Sequence, residues 1–141
     1  MQLYVFGNPM LPEDAGPLAL LPVLRAALPE ATFTALDPNE EWNVPTHMHV
    51  IDTVVNLRTP RVFHDLDSFM AAPRMTCHDF DAYANLSLMH KLGKLTGATI
   101  YGLPPHPQEE QTISWLTQAI LKEHTHKLPL RGLLPQRLGL V

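Results

Sequence analysis

The stretch Leu3-Tyr4-Val5-Phe6-Gly7-Asn8, followed by Glu13-Asp14-Ala15-Gly16-Pro17, decides the fold class of this chain. Residues 2–7 are rich in β-formers and alternate weakly, which predicts a strand. A Gly-Asn turn breaks it, and Pro17 suits the first turn of a helix over 14–28. Leu18, Leu21, Leu24 and Leu28 recur there at helical spacing, and Pro22 is expected to kink that helix or delay its start. The acidic pair Glu13-Asp14 therefore falls at the carboxyl end of a strand, where open α/β sheets hold their ligands.

The same alternation continues outward. Residues 31–36 read as a second strand closed by Asp37-Pro38-Asn39, and residues 39–46 are polar and too short for a full helix. Residues 49–55 (His-Val-Ile-Asp-Thr-Val-Val) form a third strand, apolar enough to be central. Residues 61–63 suggest a short edge strand, and 66–72 a short helix or loop. The clearest helix spans 79–95, with Ala84, Leu88, Leu92 and Leu95 as its stripe and Gly97 as its stop. A strand over 99–103 is stopped by Pro104-Pro105. A last helix over 108–124 buries Ile113, Leu116 and Ile120. Strands alternating with helices predict a three-layer α/β/α fold around a twisted, mostly parallel sheet of about five strands, with helices on both faces. Residues 1–126 are expected to form one domain. Residues 127–141 are apolar, basic and broken by Pro and Gly, a tail that either packs on the domain or meets a partner.

Composition narrows the function classes. The chain has 141 residues, a formal net charge of -4 and one cysteine, Cys77. Mean hydropathy is -0.03 and the isoelectric point about 6.0, values of a globular protein long enough to bury a core. No basic stripe marks a nucleic-acid binder. A lone cysteine suits a reducing compartment, and the sequence opens directly on a strand without a secretory pattern. No run approaches the ~18 apolar residues of a membrane span. The expectation is a cytoplasmic monomer that binds neither nucleic acid nor membrane. Fourteen prolines are about twice the usual ~5%; many stand at element boundaries, so they punctuate the fold rather than mark disorder.

Three side chains stand out by placement. Asp14 follows the first strand, Asp52 lies within or at the end of the third, and His78 precedes the long helix. Two carboxylates and one imidazole are a donor set for a divalent transition metal, with positions left open for substrate. Taken singly each has a plainer reading, since an Asp at a helix start is commonly a cap. Asp52 is the strongest, because a carboxylate inside an apolar strand is costly unless it is paired or metal-bound.

These residues carry a resemblance. Gly7-Asn8, Glu13-Asp14-Ala15-Gly16-Pro17, Val50-Ile51-Asp52-Thr53, Thr76-Cys77-His78 and Ile100-Tyr101-Gly102-Leu103-Pro104 together resemble the hydrogenase maturation endopeptidases, over roughly residues 2–124. The order and spacing of the motifs are fairly specific, although none is so alone. The resemblance implies an aspartyl-type endopeptidase that removes the C-terminal extension of a nickel–iron hydrogenase large-subunit precursor once nickel is inserted. It implies that Asp14, Asp52 and His78 bind that substrate-borne nickel, or another divalent metal in its place. The metal would be a recognition element, with a possible further part as Lewis acid at the scissile carbonyl. Whether Asp14 or Asp52 activates water stays open. The chain departs from the family where a Gly-rich turn usually follows the second strand. Here that segment is Asp37-Pro38-Asn39-Glu40-Glu41-Trp42, and the helix before the third strand is shortened. Two other readings therefore stand beside the first: a non-catalytic metal-dependent binding or chaperone module, and a divergent metal-dependent hydrolase with another substrate.

The remaining polar residues have simpler expectations. Asn8 shapes its turn, and Gly7 and Gly16 are backbone-permissive. Glu13 is a first-turn charge favoured by the helix dipole, or else an acid that stands behind Asp14 or is itself the ligand in its place. Cys77-His78 fails as a nucleophile pair, because adjacent residues on an extended chain point apart. Asp79 and Asp81 cap the long helix. His47-Met48-His49 puts two imidazoles on one face at a surface edge. His124 and His126 lie at a helix C-terminus, where a partly charged imidazole is favourable. His64-Asp65 and His78-Asp79 suggest helical metal phosphohydrolases, which the alternating pattern excludes. Trp42 covers the sheet edge.

Overall fold

In a computed structural model, residues 1–12, 15–37, 42–55, 57–65, 86, 89–91 and 93–125 are described. Among the described residues the elements with both ends placed are, in order, β1 (Gln2–Val5), α1 (Gly16–Ala19), α2 (Leu21–Ala27), β2 (Thr32–Ala35), β3 (His47–Thr53), β4 (Arg61–Phe63), β5 (Gly97–Leu103) and α3 (Glu109–Thr125). The strands form one sheet in the order β2-β1-β3-β5-β4. β1, β2, β3 and β5 are parallel, and the short edge strand β4 runs antiparallel to β5. The expected α/β class and mostly parallel five-stranded sheet are thus present.

Strand alternation sends side chains to opposite faces, and each face has its own core. Tyr4, Phe6, Met48, Val50 and Ile100 pack on one side with Leu86 and Leu95, and Trp42 leans against them. Leu3, Val5, Ile51, Tyr101 and Leu103 pack on the other side, under α2 and α3 through Leu24, Leu116 and Ile120. β3 and β5 are buried at six of seven positions each, so they read as near-continuous apolar runs, as strands covered on both faces do.

Several boundaries differ from the sequence-based expectation. The helix foreseen over 14–28 is two helices that meet at Leu20, with Pro22 in the first turn of the second. Proline lacks the N–H that a continuous helix needs there. β3 starts at His47 rather than 49 and stops at Thr53 rather than 55. Gly97 does not end the long helix; it opens β5. The stop is Gly93, at φ 75°. Its N–H donates to the His90 carbonyl and the Lys94 N–H to the Met89 carbonyl, the paired closing bonds of a left-handed cap. Most of the helix foreseen over 79–95, together with 66–72 and the tail 127–141, lies outside the described residues.

Candidate functional site

Parallel strands carry their connections to one edge, and here the ends of β1, β3 and β5 meet side by side. The Phe6 N–H donates to the Ile51 carbonyl (3.0 Å), and the Val54 N–H donates to the Leu103 carbonyl (2.8 Å). Asp52 is the penultimate residue of β3, opposite Gly102 of β5, and is 1% exposed. Its Oδ1 accepts the Thr53 N–H at 2.8 Å. Gly102 is small for a steric reason. A Cβ there would stand 2.9 Å from the Phe63 ring and 3.1 Å from Leu57 and Val54 side chains. Asp52 is therefore held beside a tightly packed wall at the carboxyl edge, where the sequence reading puts it. Asp14, His78 and Glu13 lie outside the described residues, and so does Cys77.

The connections around Asp52 are ordered by local bonds. Asn8 does shape its turn: its Oδ1 accepts the Met10 N–H at 3.0 Å, and its carbonyl accepts the Leu11 N–H at 3.1 Å. Such Asx bonds replace a backbone turn. Trp42 does cover the edge. Its indole donates to the Asp37 carbonyl at 2.9 Å, and its ring lies 5.1 Å from that of Phe6. The β1–α1 and β5–α3 connections touch at Gly16, where a Cβ would meet the Pro107 ring at 2.7 Å.

Two hollows flank this contact. One of about 290 Å³ lies among Pro12, Ala15, Gly16, His106, Pro107 and Glu109, so it adjoins the chain on both sides of residues 13–14. The other, about 640 Å³, lies between the β3–β4 connection, the β5–α3 connection and the first turns of α3. His106 borders both and has φ 52°, the left-handed region that non-glycine residues enter at a cost. Sequence reasoning missed His106 and Arg58 as edge residues. The signal for the first was the setting Pro104-Pro105-His106-Pro107 between a strand and a helix.

A second polar cluster occupies the amino half of the sheet, on the face under α3. His47 and His49 are not at a surface edge as expected: His49 is buried and His47 half-buried. His47 Nε2 bonds Thr99 Oγ1 (2.9 Å) and His49 Nδ1 bonds the Tyr101 hydroxyl (3.1 Å). The His124 ring lies 4.5 Å from that of His49, and its Nδ1 bonds the Ile120 carbonyl. His64 Nε2 pairs with Glu123 at 2.8 Å. Burial pushes the Tyr101 phenol well above its ordinary pKa, and the Glu123 carboxylate pushes it the same way. Among the described residues, no three His, Cys, Asp or Glu side chains are grouped to hold a metal ion, so this cluster is a hydrogen-bonded seam between β3, β5 and α3.

A mostly parallel α/β sheet with helices on its faces defines the class: a doubly wound α/β protein, a fold in which ligands generally bind at the carboxyl ends of the strands. One solved structure of that class is the hydrogenase maturating endopeptidase HybD from E. coli. It matches 87% of this chain and 89% of its own, with a TM-score of 0.56 and 18% sequence identity. At that identity the likeness is one of fold. No family model matches the sequence, and no curated protein sequence does. No helix among the described residues is long and apolar enough to cross a membrane.

Proposed function

We propose that this protein is an endopeptidase of the hydrogenase-maturation kind. It removes the C-terminal extension of a nickel–iron hydrogenase large-subunit precursor, acting as a cytoplasmic monomer. The observation that carries this reading is Asp52, buried at the carboxyl end of a central strand in a fold shared with HybD. Nickel belongs to the substrate, and Asp14, Asp52 and His78 are the groups proposed to take it. Carboxylate and imidazole suit a divalent transition metal. Oδ1 of Asp52 is held by the Thr53 N–H, which fixes the carboxylate before substrate arrives. Whichever of Asp14 and Asp52 is less engaged by the metal serves as base toward water.

The test is cleavage. Purified protein is mixed with nickel-loaded and nickel-free precursor, and the C-terminal mass is read by mass spectrometry. Loss of a short peptide from the loaded precursor alone is the expected result. Asp52→Asn and His78→Ala should each lower the rate at least ~100-fold, as loss of an acting group does, with unchanged circular dichroism. An untouched precursor that a known family endopeptidase cuts would overturn the reading, and so would Asp52→Asn cutting at the parental rate.

A second reading, a metal-dependent hydrolase with a different substrate, is favoured by one observation. Trp42 packs on Phe6 and ties back to Asp37 in the segment where the resembling family has its Gly-rich turn. Turnover of small esters or phosphates with the precursor left intact would support it.

A further inference from the structure

We propose that the larger hollow at the carboxyl edge is a peptide subsite that takes an acidic residue of the substrate chain. This rests on the peptidase reading, because it names what lies beside Asp52 when substrate binds. Its volume of about 640 Å³ falls within the ~300–1,000 Å³ of ligand clefts. The described lining residues are of several kinds, the Thr59 and Thr112 hydroxyls and the His106 imidazole among them. Pro60, Pro104 and Trp115 give apolar faces, Gln108 and Gln111 give carboxamides, and Arg58 gives the charge. None of the described lining residues is acidic. Glu109 lines the other hollow, across His106 and Pro107.

That combination fits a peptide better than a free anion. Each carboxamide offers both donors and an acceptor, the pair of functions that a peptide group needs. Prolines present apolar surface without an N–H, and an indole face takes aliphatic side chains. A small inorganic anion could use Arg58 and the donors of Gln108, Gln111, Thr59 and Thr112, but it would leave the proline and tryptophan wall bare. Position agrees with this assignment. Gly102 pairs with Asp52, and Pro104 follows two residues on, roughly 7 Å along an extended chain. An extended peptide running over the strand ends from β3 toward β5 reaches the hollow within a few residues, although Asp52 itself does not line it.

Arg58 is exposed, so its pairing is screened by solvent and is worth at most ~1 kcal/mol, about fivefold in affinity. The probes are two end-blocked tetrapeptides, acetyl-Ala-Leu-Glu-Val-amide and its Gln counterpart, titrated calorimetrically into the full chain. The Glu peptide is expected to bind about three- to fivefold more tightly, with the difference shrinking at 1 M salt. Arg58→Gln should erase the preference and Arg58→Lys should keep most of it. Equal binding of the two peptides, a preference that survives Arg58→Gln, or no binding of either peptide would overturn the subsite. Displacement of the Glu peptide by equimolar inorganic phosphate would overturn it in favour of a small-anion site. Peptide hydrolysis is not part of the readout. A chain that shows the Arg58-dependent preference yet leaves a nickel-loaded precursor uncut refutes the peptidase reading and not the subsite.

Discussion

The rings of His49 and His124 lie 4.5 Å apart and are tilted by 30°, joining the start of β3 to the last turn of α3. The contact is long-range in sequence and sits at the opposite end of the sheet from Asp52. An aromatic pair of this kind contributes ~0.5–1.5 kcal/mol beyond its buried area. His124→Ala should therefore lower the free energy of unfolding by about 1 kcal/mol, seen as a lower denaturant midpoint with an unchanged m-value. Under the peptidase reading precursor processing should be untouched, because the change is remote from the carboxyl edge. A variant as stable as the parent would mean that the rings touch without stabilising the fold.

Tyr101 links that seam to alkaline stability. Its folded phenol holds its proton to higher pH than the ordinary value of 10, through burial first and then Glu123. Below pH 10 both folded and unfolded chains keep the proton, and the contribution is fully present. Above pH 10 the unfolded chain releases it first, so stability falls by up to ~1.4 kcal/mol per pH unit for this group. Tyr101→Phe removes that slope but also removes the bond to His49, a loss of about 1 kcal/mol. The variant should be the less stable chain at pH 8, and the gap should narrow or reverse by pH 11. Paired urea unfolding curves at the two pH values measure this, and a gap independent of pH would refute it. Tyr4, also raised by burial, is common to both chains and cancels.

Much of this architecture was readable from local pattern. Four apolar residues before Gly7-Asn8, and an apolar run around Asp52, sufficed to place β1 and β3 and one acid at their carboxyl edge. The misplaced helix stop has a physical cause. Leu95 continues the Leu88–Leu92 spacing and is 1% exposed, but it reaches the core after a left-handed turn at Gly93 rather than by helical continuation. Spacing of apolar residues reports burial, and here burial outlives the helix. The histidine seam was invisible for a different reason. Thr99 and His124 stand 52 and 75 positions from their partners His47 and His49, so only the sheet register and the return of α3 unite them. Arg58 and His106 stand on connections, which carry no periodicity to read.

Gly16 and Pro107 hold the two edge connections together. A methyl at residue 16 would lie 2.7 Å from Pro107 Cδ and 2.9 Å from Cγ, and a proline ring has little freedom to yield. Gly16→Ala should cost ~1–3 kcal/mol, the usual range for overpacking. It should also push the β5–α3 connection away from the start of α1. Amide exchange at His106 and Gln108, the two N–H groups this Pro-rich connection carries, should quicken more than exchange in α2. If stability and exchange both match the parent, the close approach does not fix this edge.

His106 is the one described non-glycine residue with positive φ, and it forms the ridge between the two hollows. Histidine enters the left-handed region with less penalty than β-branched residues, and glycine with none. Stability should therefore run His106→Gly at or slightly above the parent and His106→Val lowest, with the Gly–Val gap about 1–3 kcal/mol. Activity should follow the opposite logic. Under the peptidase reading the ridge positions substrate, so the stable His106→Gly variant should show a raised KM for the precursor with kcat less affected. Thermal unfolding of the series gives the first order, and initial rates against precursor concentration give the second. A Val variant as stable as the Gly variant would show that φ at residue 106 relaxes freely. An unchanged KM in the Gly variant would remove the ridge from the substrate path.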